Sequence, residues 1–184
     1  MIFFTSDTHW GHKNILLPNY DNRPWDDIDE HDLALVERYN SLVNPDDICY
    51  FLGDLSLGMA PVEKYGPMLN GTKYIVPGNH CKIWKKPNSQ QLLERYRKAG
   101  FEVLGRQVKL EVDGIELFLS HLPYTNHDPR YVDILPKDDG HTVLLHGHVH
   151  LAWKVKGRQI NVGVPQWDYY PVSIKQIKEL INAN

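Results

Sequence analysis

The sequence predicts an α/β fold, in which strands and helices alternate along the chain. Short apolar runs typical of strands are separated by segments whose apolar residues recur with helical periodicity. Hydrophobic residues make up 42% of the chain and charged residues 23%, as in ordinary soluble globular proteins. The length of 184 residues suits one domain, which we place at residues 1–184.

The N-terminal part predicts a strand, a long loop and an amphipathic helix before the next strand. Residues 2–6 are typical of a strand, and residues 10–25 form a loop rich in Asn, Pro and Trp. Residues 27–43 predict a helix because their apolar residues approach helical periodicity and acidic residues come first. A turn at residues 44–47 then leads into a strand at residues 48–52.

The rest of the chain continues this alternation and then changes to a run of strands. Helices are predicted at residues 60–69 and 88–99, on either side of a strand at residues 73–77. Ser89 is a candidate N-cap of the second of these helices. The later elements are strands at 101–104, 107–112, 115–119, 142–146, about 151–156 and 158–162, a polar loop at 120–141 and an amphipathic segment at 172–182.

Five short polar clusters follow or end the apolar runs. They are Asp7-Thr8-His9, Gly53-Asp54, Gly78-Asn79-His80, His121 and Gly147-His148-Val149-His150. Open α/β sheets place their ligands beyond the carboxyl ends of the strands. Carboxylate, carboxamide and imidazole groups without a thiolate suit divalent metal ions. The clusters therefore predict one metal site along one edge of a sheet.

The order of these clusters resembles the calcineurin-like metallophosphoesterase superfamily. The pattern of that family is D-x-H, G-D, G-N-H, a lone H and G-H-x-H, and every part stands in this order between residues 7 and 150. Each part alone occurs widely by chance, whereas five in order, each after an apolar run, are hard to obtain by accident. The resemblance implies a four-layer α/β/β/α sandwich of two mixed sheets flanked by helices.

The resemblance also implies a dinuclear metal centre and its ligands. The first metal ion would be held by Asp7, His9, Asp54 and His150. The second would be held by Asp54, Asn79, His121 and His148. A strictly extended segment would aim His148 and His150 to one face. Because imidazole favours transition metals, we expect two divalent ions, Mn²⁺ first and Fe, Zn, Ni or Co as other candidates.

Each of these ligands also has an ordinary interpretation when it is taken alone. Asp7 and Asp54 are consistent with helix caps or turn residues, and His9 and His121 with half-buried histidines. Asn79 after a glycine is consistent with a turn residue that tolerates left-handed geometry. None of these interpretations explains why all of the residues fall at strand ends in the family order.

His80 has a different expected role, which is catalytic. The resemblance places this histidine near the substrate, where an imidazole can protonate the leaving group at neutral pH. The alternative is a structural histidine behind the ligands. The family usually has an acidic residue next, which orients the histidine, and here it is Cys81. Lys82, Lys85 and Lys86 make a small basic run beside His80, which a solvated face also explains.

The loop after the first cluster resembles a bacterial and phage subgroup of small metallophosphoesterases. That subgroup has G-H-x-N-I at this place, followed by an Arg-Pro pair, here Arg23-Pro24. His12, Asn14 and Arg23 are therefore candidate substrate-binding residues, since Arg can grip a phosphate through two parallel hydrogen bonds. In the alternative interpretation, His12 and Asn14 brace the loop and Arg23 is a solvated charge.

The expected function is metal-dependent hydrolysis of a phosphoric ester. The first expectation is a phosphodiesterase that acts on a nucleotide or short oligonucleotide by attack of a hydroxide bridging the two metal ions. One alternative is a phosphomonoesterase, such as a nucleotidase or a phosphoprotein phosphatase. Another is a non-catalytic interaction scaffold. A scaffold would be expected to have lost ligands, whereas this chain retains the whole set.

Composition limits the partners and the compartment. The formal net charge of −3 gives no general basic field for nucleic acid, so any contact with short RNA or DNA would be local. No apolar stretch approaches the ~20 residues of a membrane span. The N-terminus reaches Asp7 without room for a cleaved signal peptide, and Cys49 and Cys81 make no disulfide framework. We expect a cytoplasmic protein with a small phosphate-ester substrate and no membrane partner, in an oligomeric state left open.

Overall fold

Two five-stranded mixed sheets with helices beside them make up the fold. The structure is a computed structural model, which describes residues 1–125 and 128–183. Its strands are β1 (Ile2–Thr5), β2 (Ile48–Phe51), β3 (Thr72–Ile75), β4 (Phe101–Val103), β5 (Gln107–Val112), β6 (Ile115–Ser120), β7 (Val143–His146), β8 (Val155–Lys156), β9 (Gln159–Asn161) and β10 (Val172–Ser173). Its helices are α1 (Ile28–Leu42), α2 (Met59–Tyr65), α3 (Lys82–Lys85), α4 (Gln90–Lys98) and α5 (Ile174–Ala183).

The parallel strands of both sheets end at one shared edge. The first sheet has the order β10-β1-β2-β3-β4, in which β1 to β4 are parallel and β10 is antiparallel to β1. The second has the order β5-β6-β7-β9-β8, in which β6, β7 and β9 are parallel. A parallel bridge between Ser6 and Gly163 joins the carboxyl end of β1 to that of β9. The two sheets therefore meet at the edge where the polar clusters lie.

The outer face of the first sheet is covered by helices. Phe51 and Ile75 point to this side and pack in one buried cluster with Leu35 of α1, Val62 of α2 and Tyr96 of α4. Asp27 caps α1 by accepting hydrogen bonds from the N–H groups of residues 29 and 30. Helix α4 begins as predicted, because Ser89 accepts from the N–H of Leu92.

The inner faces of the two sheets form a second core. Phe4 of β1 and Leu52, which follows β2, belong to one buried cluster with Leu119, Leu145 and Ile160 of the second sheet. Since successive side chains of a strand alternate between faces, β1 serves both cores and has a continuous apolar run. Two mixed sheets flanked by helices confirm the predicted fold.

Helix α5 packs at the border of this inner core. Its Ile174 and Ile177 join the cluster between the sheets. On the outer side of the second sheet lies a 3₁₀ turn, Val132–Ile134, whose last carbonyl accepts from Gln107 Nε2 at 3.1 Å. Within the described ranges, no helix combines the length and apolar character that crossing a membrane requires.

Several predicted boundaries differ from the structure for identifiable reasons. The strand expected at 151–156 covers only β8, because residues 151 and 152 are an exposed turn. The segment 172–182 begins as a strand beside β1 before it becomes α5. The helix expected at 60–69 ends at Tyr65 and continues as a 3₁₀ turn, because Pro67 lacks a backbone N–H. The predicted loop at 120–141 includes residues 126 and 127, which lie outside the described residues.

Candidate metal centre

The backbone of the first cluster continues the pairing of β1 with β2 beyond the ends of both strands. The N–H of Asp7 donates to the carbonyl of Gly53 at 3.1 Å, and the N–H of His9 donates to the carbonyl of Asp54 at 3.0 Å. The Oγ1 of Thr8 donates to the carbonyl of Leu55 at 3.0 Å. These bonds hold the Asp7–His9 segment against Asp54 at the shared edge.

Several of the expected ligands adopt a left-handed backbone. Positive φ values occur at Asp7 (58°), His9 (50°), Asp54 (49°), His148 (71°) and His150 (44°). Such values are uncommon for residues other than glycine and cluster at functional sites. The segment at residues 148–150 is therefore not the strictly extended one that would aim both histidines to one face, because the chain turns between them.

The glycines of the motifs allow the clusters to approach one another. A Cβ at Gly53 would stand 2.6 Å from the Cα of Gly78 and 2.7 Å from Nδ1 of His121. A Cβ at Gly147 would overlap with the side chains of Ser6 and Asp7. Close packing therefore requires glycine at both positions, and Gly53 also has a φ of 93° that favours glycine.

One group of side chains brings three acceptor atoms together. His121 Nε2 lies 3.1 Å from Asp54 Oδ2 and 3.0 Å from Asn79 Oδ1. His121 Nδ1 lies 2.7 Å from the carbonyl of Leu52, which accepts its hydrogen and leaves a lone pair on Nε2. His148 Nδ1 lies 3.0 Å from the same Asn79 oxygen. Such a donor set fits a divalent cation, which would take the place of a proton between these converging atoms.

A second group stands beside the first. His9 Nε2 lies 3.3 Å from His150 Nε2, and Asp7 Oδ1 lies 3.8 Å and 3.7 Å from these two nitrogens. Asp54 Oδ2 lies 4.0 Å from His9 Nε2, so this carboxylate faces both groups. The structure thus brings all seven expected ligands together in the predicted partition, with Asp54 between the two halves.

The electrostatics of the two groups favour bound positive charge. Burial opposes a charge on His121, but the carboxylates of Asp54 and Asp7 raise its pKa to about 9. Burial would also raise the pKa of Asp54, but His121 and His9 lower it below its ordinary value. Burial lowers the pKa of His148 to about 4, which leaves that imidazole neutral and able to bind a metal ion.

Asp21 is part of the site although the sequence did not indicate it. Its carboxylate accepts a hydrogen bond from His150 Nδ1 at 2.7 Å, which leaves the Nε2 lone pair directed at Asp7 and His9. Carboxylates that orient a ligand histidine in this way raise its basicity and fix its ring. The available signal was its position two residues before Arg23-Pro24.

Arg23 is buried behind the first polar cluster, and its predicted contact with the phosphate stays a prediction. Its side chain is 0% exposed. Nη1 donates to the carbonyl of Thr8 at 3.0 Å, and Nη2 donates to the carbonyl of Asp7 at 2.7 Å and to Asp21 at 3.1 Å. Arg23 therefore positions the backbone of the first polar cluster, Asp7-Thr8-His9.

A buried polar chain on α1 extends this support. Arg23 Nη1 donates to His31 Nε2 at 3.0 Å, so His31 is neutral and donates from Nδ1 to Asp32 at 2.8 Å. Asp32 in turn accepts from the N–H of Gly11 at 2.8 Å. This chain of hydrogen bonds holds the segment of residues 7–11 at both ends. Helical periodicity alone gave no signal for it, because His31 and Asp32 occupy positions that resemble a polar helix face.

Of the remaining candidates, His80 and His12 lie beside the ligand groups. His80 is exposed, its N–H donates to Asp54 Oδ1 at 2.9 Å, and its ring centroid lies 5.8 Å from that of His9. The ring of His12 lies 5.7 Å from that of His9, and its Nδ1 is buried without a hydrogen-bond partner among the described residues. Burial lowers the pKa of His12. Asn14 is exposed on a 3₁₀ turn, Lys13–Leu16.

Cys81 is a packed thiol. Its Sγ accepts from the N–H of Gly78 at 3.4 Å, and burial raises its pKa to about 12. It therefore stays protonated at neutral pH and brings no charge to His80. The acidic residue that usually orients this histidine in the family has no charged replacement at position 81.

Known proteins with similar sequences belong with this site. Residues 1–152 match the family described as Calcineurin-like phosphoesterase. The Gene 66 protein of Mycobacterium phage D29 is 31% identical over 198 residues, which cover 98% of this chain and 96% of that protein. The uncharacterized protein MJ1445 of Methanocaldococcus jannaschii is 31% identical over 190 residues, covering 98% of this chain and 90% of that protein.

A solved structure has the same fold over nearly its full length. The crystal structure of the protein of unknown function AQ665 from Aquifex aeolicus aligns with a TM-score of 0.70 at 25% identity and covers 98% of each chain. The matched family is one of metal-dependent phosphoesterases, and the two groups of side chains suit that chemistry. The chain belongs to the calcineurin-like phosphoesterase family.

Proposed function

We propose that the protein is a dinuclear phosphodiesterase that hydrolyses an ester bond of a nucleotide or short oligonucleotide, with Mn²⁺ as the first candidate metal. The first ion would be held by Asp7, His9, Asp54 and His150, and the second by Asp54, Asn79, His121 and His148. When bound, two such ions supply positive charge to the phosphoryl oxygens and make a water easier to deprotonate. Mixed O and N ligation without cysteine supports Mn²⁺ over Mg²⁺, which prefers oxygen.

The position of His80 carries the proposal of a diesterase. Its peptide N–H is anchored on Asp54, while no residue of the described chain forms a hydrogen bond to its exposed ring. A ring in this place is free to donate a proton to the leaving oxygen. That proton matters most for esters whose leaving oxygen is basic, as in an alkyl or sugar diester. His12 and Asn14 stay as proposed substrate contacts, and His12 is the better supported because its ring adjoins His9.

A substrate panel tests this function. Protein stripped with chelator and reloaded with Mn²⁺ or Mg²⁺ is assayed with chromogenic mono- and diesters, cyclic nucleotides and short RNA. We expect a higher kcat/KM for diesters than for matched monoesters, and more activity with Mn²⁺ than with Mg²⁺. Turnover of monoesters alone would identify a phosphomonoesterase. If the fully metal-loaded protein hydrolyses none of these substrates, the result would favour a non-catalytic scaffold.

A further inference from the structure

Two neighbouring cavities lead away from the metal centre past His80. A cavity of about 200 Å³ is lined by Asn79 and His80 together with Lys82 and Lys85. The same two lysines line a second cavity of about 440 Å³, to which Lys86 also contributes. We call the two cavities together the lysine groove. It begins at a proposed metal ligand and continues along α3.

The lysine groove is basic, and its three lysines have no ion-pair partner among the described residues. Lys82, Lys85 and Lys86 are all exposed, and they lie three and four residues apart, on one face of the short helix and its end. Within the described ranges, none of the three ammonium groups forms an ion pair, and no Asp or Glu lines either cavity. Such a surface lowers the energy of any anion placed in it.

The lysine groove also offers apolar contact. Leu57, which lines the cavity beside His80, is 40% exposed, and Met59 and Leu92 line the second cavity. A ligand that combines negative charge with an apolar body, such as a phosphorylated nucleoside, fits this mixture better than inorganic phosphate does. The chain as a whole has a net charge of −3, so the groove is a local exception.

We infer that the lysine groove binds a second phosphate group of the substrate, carried by the leaving group of the ester that is cleaved. The inference rests on the proposed function, because it uses His80 as the group that faces the leaving oxygen. A leaving group that extends past His80 enters the cavity lined by Lys82 and Lys85. Its own phosphate then lies among the three ammonium groups. The next nucleotide of a short single strand and a nucleoside bisphosphate present the same chemistry here.

The test compares two variants of equal charge change. One is Lys82→Gln/Lys85→Gln/Lys86→Gln, and the control is Lys137→Gln/Lys156→Gln/Lys175→Gln, which removes three exposed lysines that line neither cavity. Each is assayed with substrates that carry one or two phosphates. The diester arm uses a chromogenic diester and a short oligonucleotide, and the monoester arm uses a nucleoside monophosphate and a nucleoside bisphosphate.

The preference for two phosphates is the ratio of the kcat/KM values for two-phosphate and one-phosphate substrates. We expect the groove variant to lower this ratio by about tenfold, because three exposed and individually weak charge contacts are lost. The salt dependence of log kcat/KM for the oligonucleotide should also become shallower, by about 0.7 for each lost phosphate contact. The control variant should keep both the preference and the slope.

An unchanged preference, or an equal loss in the control variant, would overturn the inference. Equal losses on one-phosphate and two-phosphate substrates would do the same, because they would indicate a general effect on the metal centre. If the wild-type protein hydrolyses only monoesters, the proposed diesterase function fails, while the monoester arm still decides whether the lysine groove reads a second phosphate.

Discussion

Asp21 and His150 are joined by a hydrogen bond of 2.7 Å across 129 positions of sequence. The bond connects the loop at residues 10–25 with the last polar cluster, at residues 147–150. It leaves His150 Nε2 with a lone pair, because the hydrogen of the ring lies on Nδ1. Asp21 also accepts from Arg23, so one carboxylate orients a ligand and anchors the arginine that holds the backbone of Asp7.

Asp21→Asn should weaken the first metal site about 10- to 100-fold, as substitutions behind a ligand histidine commonly do. The amide carries no charge to raise the basicity of the ring, and it no longer fixes which nitrogen holds the hydrogen. Titration of chelator-stripped protein with Mn²⁺, followed by calorimetry, measures the two affinities separately. Asp133→Asn, at an exposed position on a 3₁₀ turn, is the control. Unchanged affinities in both variants would remove Asp21 from the site.

Arg23→Ala should lower the free energy of unfolding by about 3–5 kcal/mol, the usual effect of removing one partner of a buried ion pair. It leaves the carbonyls of Asp7 and Thr8 without the guanidinium that donates to them, and it removes the positive charge beside the carboxylate of Asp21. Urea unfolding in the presence of chelator measures this without the metal. Arg158→Ala, which breaks an exposed pair with Asp138, should change stability little. Normal stability together with a raised KM for larger substrates would instead support the phosphate contact.

Gly147→Ala should destabilise the protein and impair both metal sites, since the added methyl overlaps with Ser6 and Asp7. Overpacking in a tight core commonly costs about 1–3 kcal/mol. Gly105→Ala is a suitable control, because its Cβ would lie 3.5 Å from the nearest atom, the carbonyl oxygen of Gln107. Thermal unfolding and metal content measure the two effects. Equal melting temperatures and equal metal contents in the two variants would mean that Gly147 does not pack tightly against Ser6 and Asp7.

His80→Ala should keep both metals and lose turnover, by about 10²- to 10⁴-fold for esters with basic leaving oxygens. Activated aryl esters need less help from an acid and should lose less. The comparison uses aryl diesters whose leaving groups differ in pKa. An equal loss across the series would assign His80 to charge stabilisation or positioning instead of proton donation.

Sequence reasoning succeeded where the information is local. Asp7, Asp54 and Asn79 each follow a buried parallel strand, and parallel strands deliver their carboxyl ends to one edge. That relation holds whatever the details of the loops. The two cores follow from the same alternation, because continuous apolar runs such as that of β1 require burial on both faces.

The rest depends on how distant segments fold onto one another. Arg23 was expected at the substrate, whereas the 10–25 loop folds back so that its guanidinium meets His31 on α1. The left-handed backbone at His148 and His150 was not predicted, because the enrichment of His and Asp in that conformation is too weak to identify single positions. Helix α3 escaped prediction because four residues are too short for periodicity to register.

The most direct test of the central claim, that Asp54 is shared by two metal ions, is the metal stoichiometry of Asp54→Asn. Chelator-stripped wild-type protein titrated with Mn²⁺ should bind two equivalents. The variant removes the charge that faces both His9 and His121, so it should bind the second equivalent far more weakly or bind neither. Near-normal binding of two equivalents by a folded Asp54→Asn protein would contradict the account.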